Sequence, residues 1–400
     1  MRVLLTGGRA PATLDLARIL SRGAAEVLIA ESAPLCLSSY SRCVTRTFRV
    51  PPPRQEPERF TTALRELILA HQVTHLIPTC EEIFTVLTDE AWLRDHVSLF
   101  TPSHDTLLRL HSKWDFQSWM DELQLQTPKT VRLTSTALLS EHVKRWGAQT
   151  VYKPEWSRFG VKVQVAPEGD DWLKGERCDE DYPWLAQSRV EGEEWCSYSW
   201  LREGQVLAHV SYPMAFSEGA QASLVFAHQS HAGIEGWVRR FGEATRYTGQ
   251  VAFDFIEGEA GLFAIECNPR LTSGVHTLID QDLAALLSHH DHQSAPHDLA
   301  GGKIDAQVTR YGTSEPQALK PALCLYAIPS IRARGLSAWL SALLSSRDVL
   351  WRWSDPLPGL LWPLGYLYFA WVAWRERISA VEASTFDIEW NSERSRSQER

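Results

Sequence analysis

Glu266 and Asn268 lie two residues apart in the stretch FAIECNPRLTSGVH, residues 263 to 276, behind three apolar residues and just ahead of Arg270. Side chains at i and i+2 of a strand point to one face, so this strand aims a carboxylate and an amide in the same direction. Upstream, Asp254 sits between Phe253 and Phe255, and the turn-forming EGEAG at 257–261 separates the two apolar runs. In such a hairpin Asp254, Glu266 and Asn268 converge at one end of the sheet. Three oxygen donors gathered there suit Mg²⁺, which keeps few protein ligands and shares the phosphates of its substrate. The plainer alternative is an edge hairpin with two solvent-facing carboxylates.

Two lysines extend the pattern. In VYKPEWSRFGVKV, residues 151–163, an apolar strand entry delivers Lys153, and a loop of small and flexible residues then runs to Gly160. A lysine leaving a strand beside such a loop can meet phosphate oxygens while backbone N–H groups cover them. Lys113, in LHSKWDF, stands at the start of a helical pattern. Either lysine could equally be an ordinary surface charge. Other candidates are weaker. Gly7-Gly8 follows the first strand, and Glu31 follows the second, but G-G-R-A-P-A is not the dinucleotide fingerprint and reads better as a tight turn. His289, His290, His292 and His297 share no helical face and read as a solvated loop rather than a metal site. Cys80 and Cys267 flank proposed site residues without an identifiable base.

The elements that must position these groups follow from periodicity. A strand at 2–6, the helical APATLDLARIL, the strand AEVLIA, the amphipathic FTTALRELILAHQ and the strand VTHLIPT alternate as in a parallel α/β sheet. Thr79, Glu81 and Glu82, in PTCEE, stand at the C-terminal end of that last strand, where open α/β sheets place ligands. An acidic pair there suits an amine or, equally, the first turn of a helix. A boundary is expected near 100–105, and residues 148–270 alternate β-rich runs with turns, mainly antiparallel by pattern. Three regions result: 1–103, an N-terminal α/β domain; 104–280, a central region; and 281–400, a divergent aromatic-rich segment. No internal repeat is visible.

Composition bounds the function. A hydrophobic fraction of 44% over 400 residues supports a sizeable core, and a net charge of -9 with scattered Lys and Arg excludes a nucleic-acid surface as the main business. Seven dispersed cysteines without a CxxC pair, and an N-terminus without an apolar leader pattern, point to reduced thiols and a cytoplasmic location. The uncharged PLPGLLWPLGYLYFAWVAW, residues 356–374, has about the length of a minimal membrane span. Its prolines and glycines are expected to interrupt a regular helix. A buried core or homodimer element ranks ahead of a membrane-surface or hydrophobic-substrate contact, and a true span ranks last.

Taken in order, Lys113 near a helix start, TPKT, YKP with its loop, AQSRVEGEEW, GQVAFDF and IECNPR resemble the ATP-grasp superfamily. The resemblance covers roughly residues 1–280, with E-x-N-P-R after an acidic strand as its most specific piece. It implies an ATP-grasp fold: a Rossmann-like parallel α/β domain followed by antiparallel sheets. It further implies that Lys113, Lys153 and the loop containing Ser157 and Gly160 hold ATP phosphates. Backbone groups at Gln187 and Val190 would meet adenine, and Glu194, with Glu193 as a near alternative, the ribose. Asp254, Glu266 and Asn268 would bind Mg²⁺, with Mn²⁺ as a substitute, and Arg270 would face the acid being activated. The phosphate loop departs from many relatives in having a single glycine, and no second upstream cation is matched.

The expected activity is ATP-dependent activation of a small-molecule carboxylate as an acylphosphate and its coupling to an amine, with release of ADP and phosphate. Phosphoryl transfer of this kind asks for positioning and charge neutralisation, which lysines, magnesium and arginine supply. Thr272 and Ser273 are expected on the substrate side. The alternatives are an ATP-dependent carboxylase or a non-catalytic nucleotide-binding regulator. Retention of the whole set Lys113, Lys153, Asp254, Glu266, Asn268 and Arg270 argues against the latter.

Overall fold

The structure is a computed structural model and describes residues 1–157, 162–217, 222–288 and 309–390. The predicted Gly160 and the His289–His297 loop lie outside the described residues. The first five strands, β1 (Arg2–Thr6), β2 (Glu26–Glu31), β3 (Arg46–Arg49), β4 (His75–Ile77) and β5 (Ser98–Leu99), form a parallel sheet in the order β3-β2-β1-β4-β5. The largely apolar runs of β1, β2 and β4 are explained by burial on both faces. Val3, Leu5, Val27 and Ile29 enter one core, and Leu4, Leu28 and Leu76 the other. Strand order reverses between β1 and β4, which puts Gly7 and Thr79 at the topological switch point.

Next come β6 (Thr130–Leu133), β7 (Thr150–Pro154), β8 (Gln164–Val165) and β9 (Trp184–Ser188), antiparallel in the order β6-β9-β7-β8. The larger antiparallel sheet is built from β10 (Gly192–Arg202) and β11 (Gln205–Pro213) and, past the short β12 (Val225–Phe226), from β13 (Gly249–Gly258) and β14 (Gly261–Asn268). The short β15 (Arg310–Tyr311) adds its edge. The back of this sheet buries Phe253, Phe255, Ala264 and Cys267 against Phe116 and Met120 of the helix Lys113–Glu122 and Trp237 and Phe241 of the helix Ala232–Thr245. The expected sequence of a parallel sheet followed by antiparallel sheets is therefore present.

The C-terminal segment is largely helical and sits against the N-terminal helix Pro11–Arg22 and the turn Leu37–Tyr40. Beyond β16 (Gln317–Ala318) and β17 (Arg347–Asp348), Val349, Leu350 and Trp362 pack on Leu14 and Leu37. The buried Arg18 bridges this junction, pairing with Asp15 at 3.1 Å and Asp355 at 2.9 Å and donating to the Val349 carbonyl at 2.7 Å. Residues 357–376 differ from expectation: they form one helix, Leu357–Glu376, with Pro363 inside it. Pro358 falls in the first turn, where no N–H is needed, and the turn before Pro363 holds Gly359, whose bare backbone lies against Trp351. A buried-core role for this helix is also overturned, since much of it is exposed. Among the described residues, no helix is long and apolar enough to cross a membrane.

Candidate active site

Asp254 and Glu266 are directly opposed across β13 and β14, and Asn268 is opposed to Ala252 one step on. Strict alternation would put Ala264 and Glu266 on the same face, yet Ala264 is in the core. A bulge resolves this conflict: pairing passes from Asp254↔Glu266 to Phe255↔Ala264, leaving Ile265 as an extra residue. The insertion reverses the face of everything beyond it. Ala264 and Cys267 both become buried, while Glu266 and Asn268 turn outward beside Asp254.

The bulge also sets aside the Ile265 carbonyl, and Lys153 takes it. Lys153 Nζ donates to that oxygen at 3.1 Å and to Gln187 Oε1 at 3.1 Å. Lys113 Nζ stands 3.5 Å from Glu266 Oε1 and donates to the Ser157 carbonyl at 2.5 Å. Both ammonium groups and both carboxylates thus meet at one end of β14. Arg270 Nη2 donates to Asn268 Oδ1 at 2.9 Å, and Arg270 Nε lies 3.7 Å from Glu81 Oε1. Arg270 therefore ties the third sheet to the C-terminal edge of the first.

Electrostatics separates the two opposed carboxylates. Asp254 is pushed up to about 7 by withdrawal from water and then by the facing Glu266. Lys153 is pulled down to about 8 by burial, with Lys113 acting in the same direction and Glu266 and Asp254 opposing it. A cationic ligand between Asp254 and Glu266 would relieve their repulsion. Among the described residues no group of three or more His, Cys, Asp or Glu is placed to hold a metal. Two carboxylates and an amide oxygen nevertheless fit Mg²⁺, which completes its shell with water and substrate phosphates.

The remaining predicted residues are distributed as follows. Gln187 lies in β9 between β6 and β7, and its side-chain amide donates to Thr130 Oγ1 at 3.2 Å. Val190 lies in the connection from β9 to β10, where the chain passes from one sheet to the next. Glu194 is exposed near the start of β10, opposite Ile256. Thr79 and Glu82 turn inward: the Thr79 hydroxyl donates to the Thr6 carbonyl, and Glu82 Oε1 accepts from the backbone N–H groups of Thr79 and Cys80 and from Thr6 Oγ1. Of the three residues in PTCEE, Glu81 alone reaches the site. Thr272 and Ser273 are half-buried, whereas the rest of that turn faces the core, with His276 Nδ1 2.9 Å from Asp15. The Gly7-Gly8 turn is filled by its neighbours, and Glu31 is occupied by Arg9 and the Ala33 N–H. That arrangement leaves it a tight turn.

Two positioning residues escaped the sequence reading. Glu155, buried just after Lys153, accepts from Ser112 Oγ at 2.8 Å and from Arg132 Nε at 2.7 Å. Ser112 is the N-cap of the Lys113 helix, accepting from the Asp115 N–H. One carboxylate thereby ties the start of the Lys113 helix to the end of the Lys153 strand, and its only sequence signal is the acidic residue closing YKPE. Replacing Glu155 by Ala is expected to cost about 1–3 kcal/mol and to raise KM for ATP severalfold. Denaturant unfolding and initial rates across ATP concentration measure the two effects; an unchanged KM would show that Lys113 is held without it. His111, which adjoins Phe84, Trp156 and Trp390, is held down to about 3 by burial and by Lys113 and Arg270. A neutral, aromatic wall therefore flanks Glu81.

No protein-family model matches the sequence, and comparison with curated proteins finds no match. Solved structures do match. Carboxyaminoimidazole ribonucleotide synthase from Aspergillus clavatus, in complex with ATP, superposes with a TM-score of 0.56 at 15% identity, covering 79% of this chain and 80% of that one. Biotin carboxylase from Campylobacter jejuni gives 0.56 at 12% identity, with 70% of each chain covered. L-amino acid ligase from Bacillus licheniformis gives 0.52 at 12%, again with 70% of each. At these identities the likeness is one of fold. With its parallel sheet, its two antiparallel sheets and the charged groups gathered at the end of β14, the chain has the ATP-grasp fold, that of the superfamily its motifs resemble.

Proposed function

We propose that the protein is an ATP-dependent carbon–nitrogen ligase that activates a carboxylate as an acylphosphate and joins it to an amine, releasing ADP and phosphate. The observation that carries this reading is the meeting of Lys113, Lys153, Asp254, Glu266 and Asn268 at one end of β14, with Arg270 beyond them. Lys113 and Lys153 hold ATP phosphates, the Ser157–Gly160 loop covers them, Gln187 and Val190 meet adenine, and Glu194 meets the ribose. Asp254, Glu266 and Asn268 hold Mg²⁺, which when bound neutralises phosphate charge. Arg270 orients the acid so that its carboxylate oxygen lies in line with the γ-phosphorus. Glu81 fixes Arg270 from the other side, and Thr272 and Ser273 border the acid. The working division is 1–103 for acid or amine binding, 104–280 for nucleotide and catalysis, and 281–400 as the accessory segment.

Bicarbonate is a second candidate acid, because two of the solved structures of like fold are a carboxyaminoimidazole synthase and a biotin carboxylase. One experiment addresses both. Purified protein with ATP and Mg²⁺ is given amino acids and hydrophobic acids in pairs, or bicarbonate with an amine, and ADP and product mass are followed. Formation of ADP and phosphate with a new amide supports the ligase, and formation of a carbamate the carboxylase. Release of AMP and pyrophosphate would reject the acylphosphate route.

A further inference from the structure

The helix Leu357–Glu376 carries Leu357, Leu360, Leu364, Leu367, Trp371 and Trp374 along one side, each between 44% and 78% exposed. Their spacing of three and four residues makes a single stripe. Its opposite side, through Trp362 and Val372, faces the protein. At about 200 Å² per large side chain, the stripe exposes roughly 650 Å² of apolar surface, above the ~300–600 Å² of the largest patch on a typical monomer. Trp353, at 89% exposure, precedes it. The helices Ala327–Arg334 and Leu336–Ser345 of the same C-terminal segment, which pack on each other and on Phe216 and Leu224, expose Ile328 at 66% and Leu344 at 78%.

Charge decides what covers this surface. Between residues 319 and 379 every charged residue in the exposed class is an arginine, and of Arg332, Arg334, Arg347, Arg375 and Arg377 two are ion-paired, Arg347 with the exposed Glu315 and Arg375 with Glu376. The chain as a whole carries -9. A two-fold contact between copies through this face would bring like charges together, whereas an anionic lipid surface meets them with phosphate and carboxylate. Exposed Trp and Tyr among leucines suit the headgroup boundary. With no spanning helix among the described residues, the segment would lie on a membrane rather than cross it.

We infer that the C-terminal helices form a docking surface for an anionic lipid membrane, with Leu357–Glu376 lying in the plane of the interface. The membrane places this side of the protein at the lipid boundary, independently of which acid the ATP site activates.

The test is flotation of the full chain with vesicles of phosphatidylcholine alone or with roughly one third phosphatidylserine. Binding is expected to the anionic vesicles and to fall at least tenfold on neutral ones or when salt is raised from about 0.1 M to about 1 M. Arg332→Gln with Arg334→Gln should weaken binding about fivefold per charge removed, and Leu367→Glu with Trp374→Glu should abolish it. Retained circular dichroism and ATP binding in these variants separate loss of docking from loss of fold. Absence of wild-type binding to anionic vesicles would overturn the inference. So would a lipid-independent dimer, seen by sedimentation, that Leu367→Glu dissociates.

Discussion

Replacing Glu266 by Gln is expected to lower kcat for ADP release by at least 10²–10³-fold, the scale seen when one preorganised electrostatic group is removed from a reacting centre. Gln keeps the volume of the side chain but loses the charge that faces Lys113 at 3.5 Å and opposes Asp254 across the hairpin. ATP itself should still bind, because Lys113 and Lys153 remain and Lys153 is held by Gln187 and the Ile265 carbonyl rather than by Glu266. The measurements are initial rates with the acid and amine found by screening, and ATP binding by calorimetry. Activity within tenfold of wild type would remove Glu266 from the proposed metal set.

Asp254→Asn should raise stability above about pH 4. In the folded, ligand-free protein the Asp254 carboxyl titrates near 7 rather than at its ordinary 3.8, so the folded state binds this proton more tightly than the unfolded state does. Below about pH 4 both states are protonated and the residue carries no penalty. As pH rises from 4 towards 7 the unfolded carboxyl ionises first and stability falls. Above 7 the full penalty, up to about 4 kcal/mol for that span, is present. Asn cannot ionise, so the variant should gain stability over wild type progressively from pH 4 to 7, and activity should be lost. Urea unfolding at pH 4, 6 and 8 reads the effect. A gain equal at all three values would assign it to packing instead of ionisation. A site that stores like-charge repulsion until a cation arrives exchanges stability for function.

The accessory segment joins this site from a distance in sequence. Arg9, beside the first glycine turn, pairs with Glu31 and Asp387, and Trp390 stacks on Phe84 at 4.4 Å near Glu81. The C-terminal residues therefore cover the edge where open α/β sheets expose their ligand crevice. The wall of the proposed acid site contains aromatic rings from residues 84, 111, 156 and 390, which come together only on folding.

By itself the sequence determined the order of the sheets, because continuous apolar runs, alternating runs and helical periods are local properties that each bury one kind of surface. It also determined which polar side chains break or close apolar runs: Lys153, Asp254, Glu266, Asn268 and Arg270 are visible from the pattern alone. Tertiary structure decided what those ends do. The bulge at Ile265 is invisible locally, since it arises from the requirement that Ala264 and Cys267 both reach the core, and it alone turns Glu266 towards Asp254. The inward turn of Thr79 and Glu82 depends on Thr6, far away in the chain. The helix 357–376 is apolar on every side, so periodicity could not say which side the protein would bury; the position of Leu14, Leu37 and the Val349–Leu350 pair did. Local pattern fixes which surface an element must hide, and only the partner, met through long-range contact, fixes which way its polar groups are left to point.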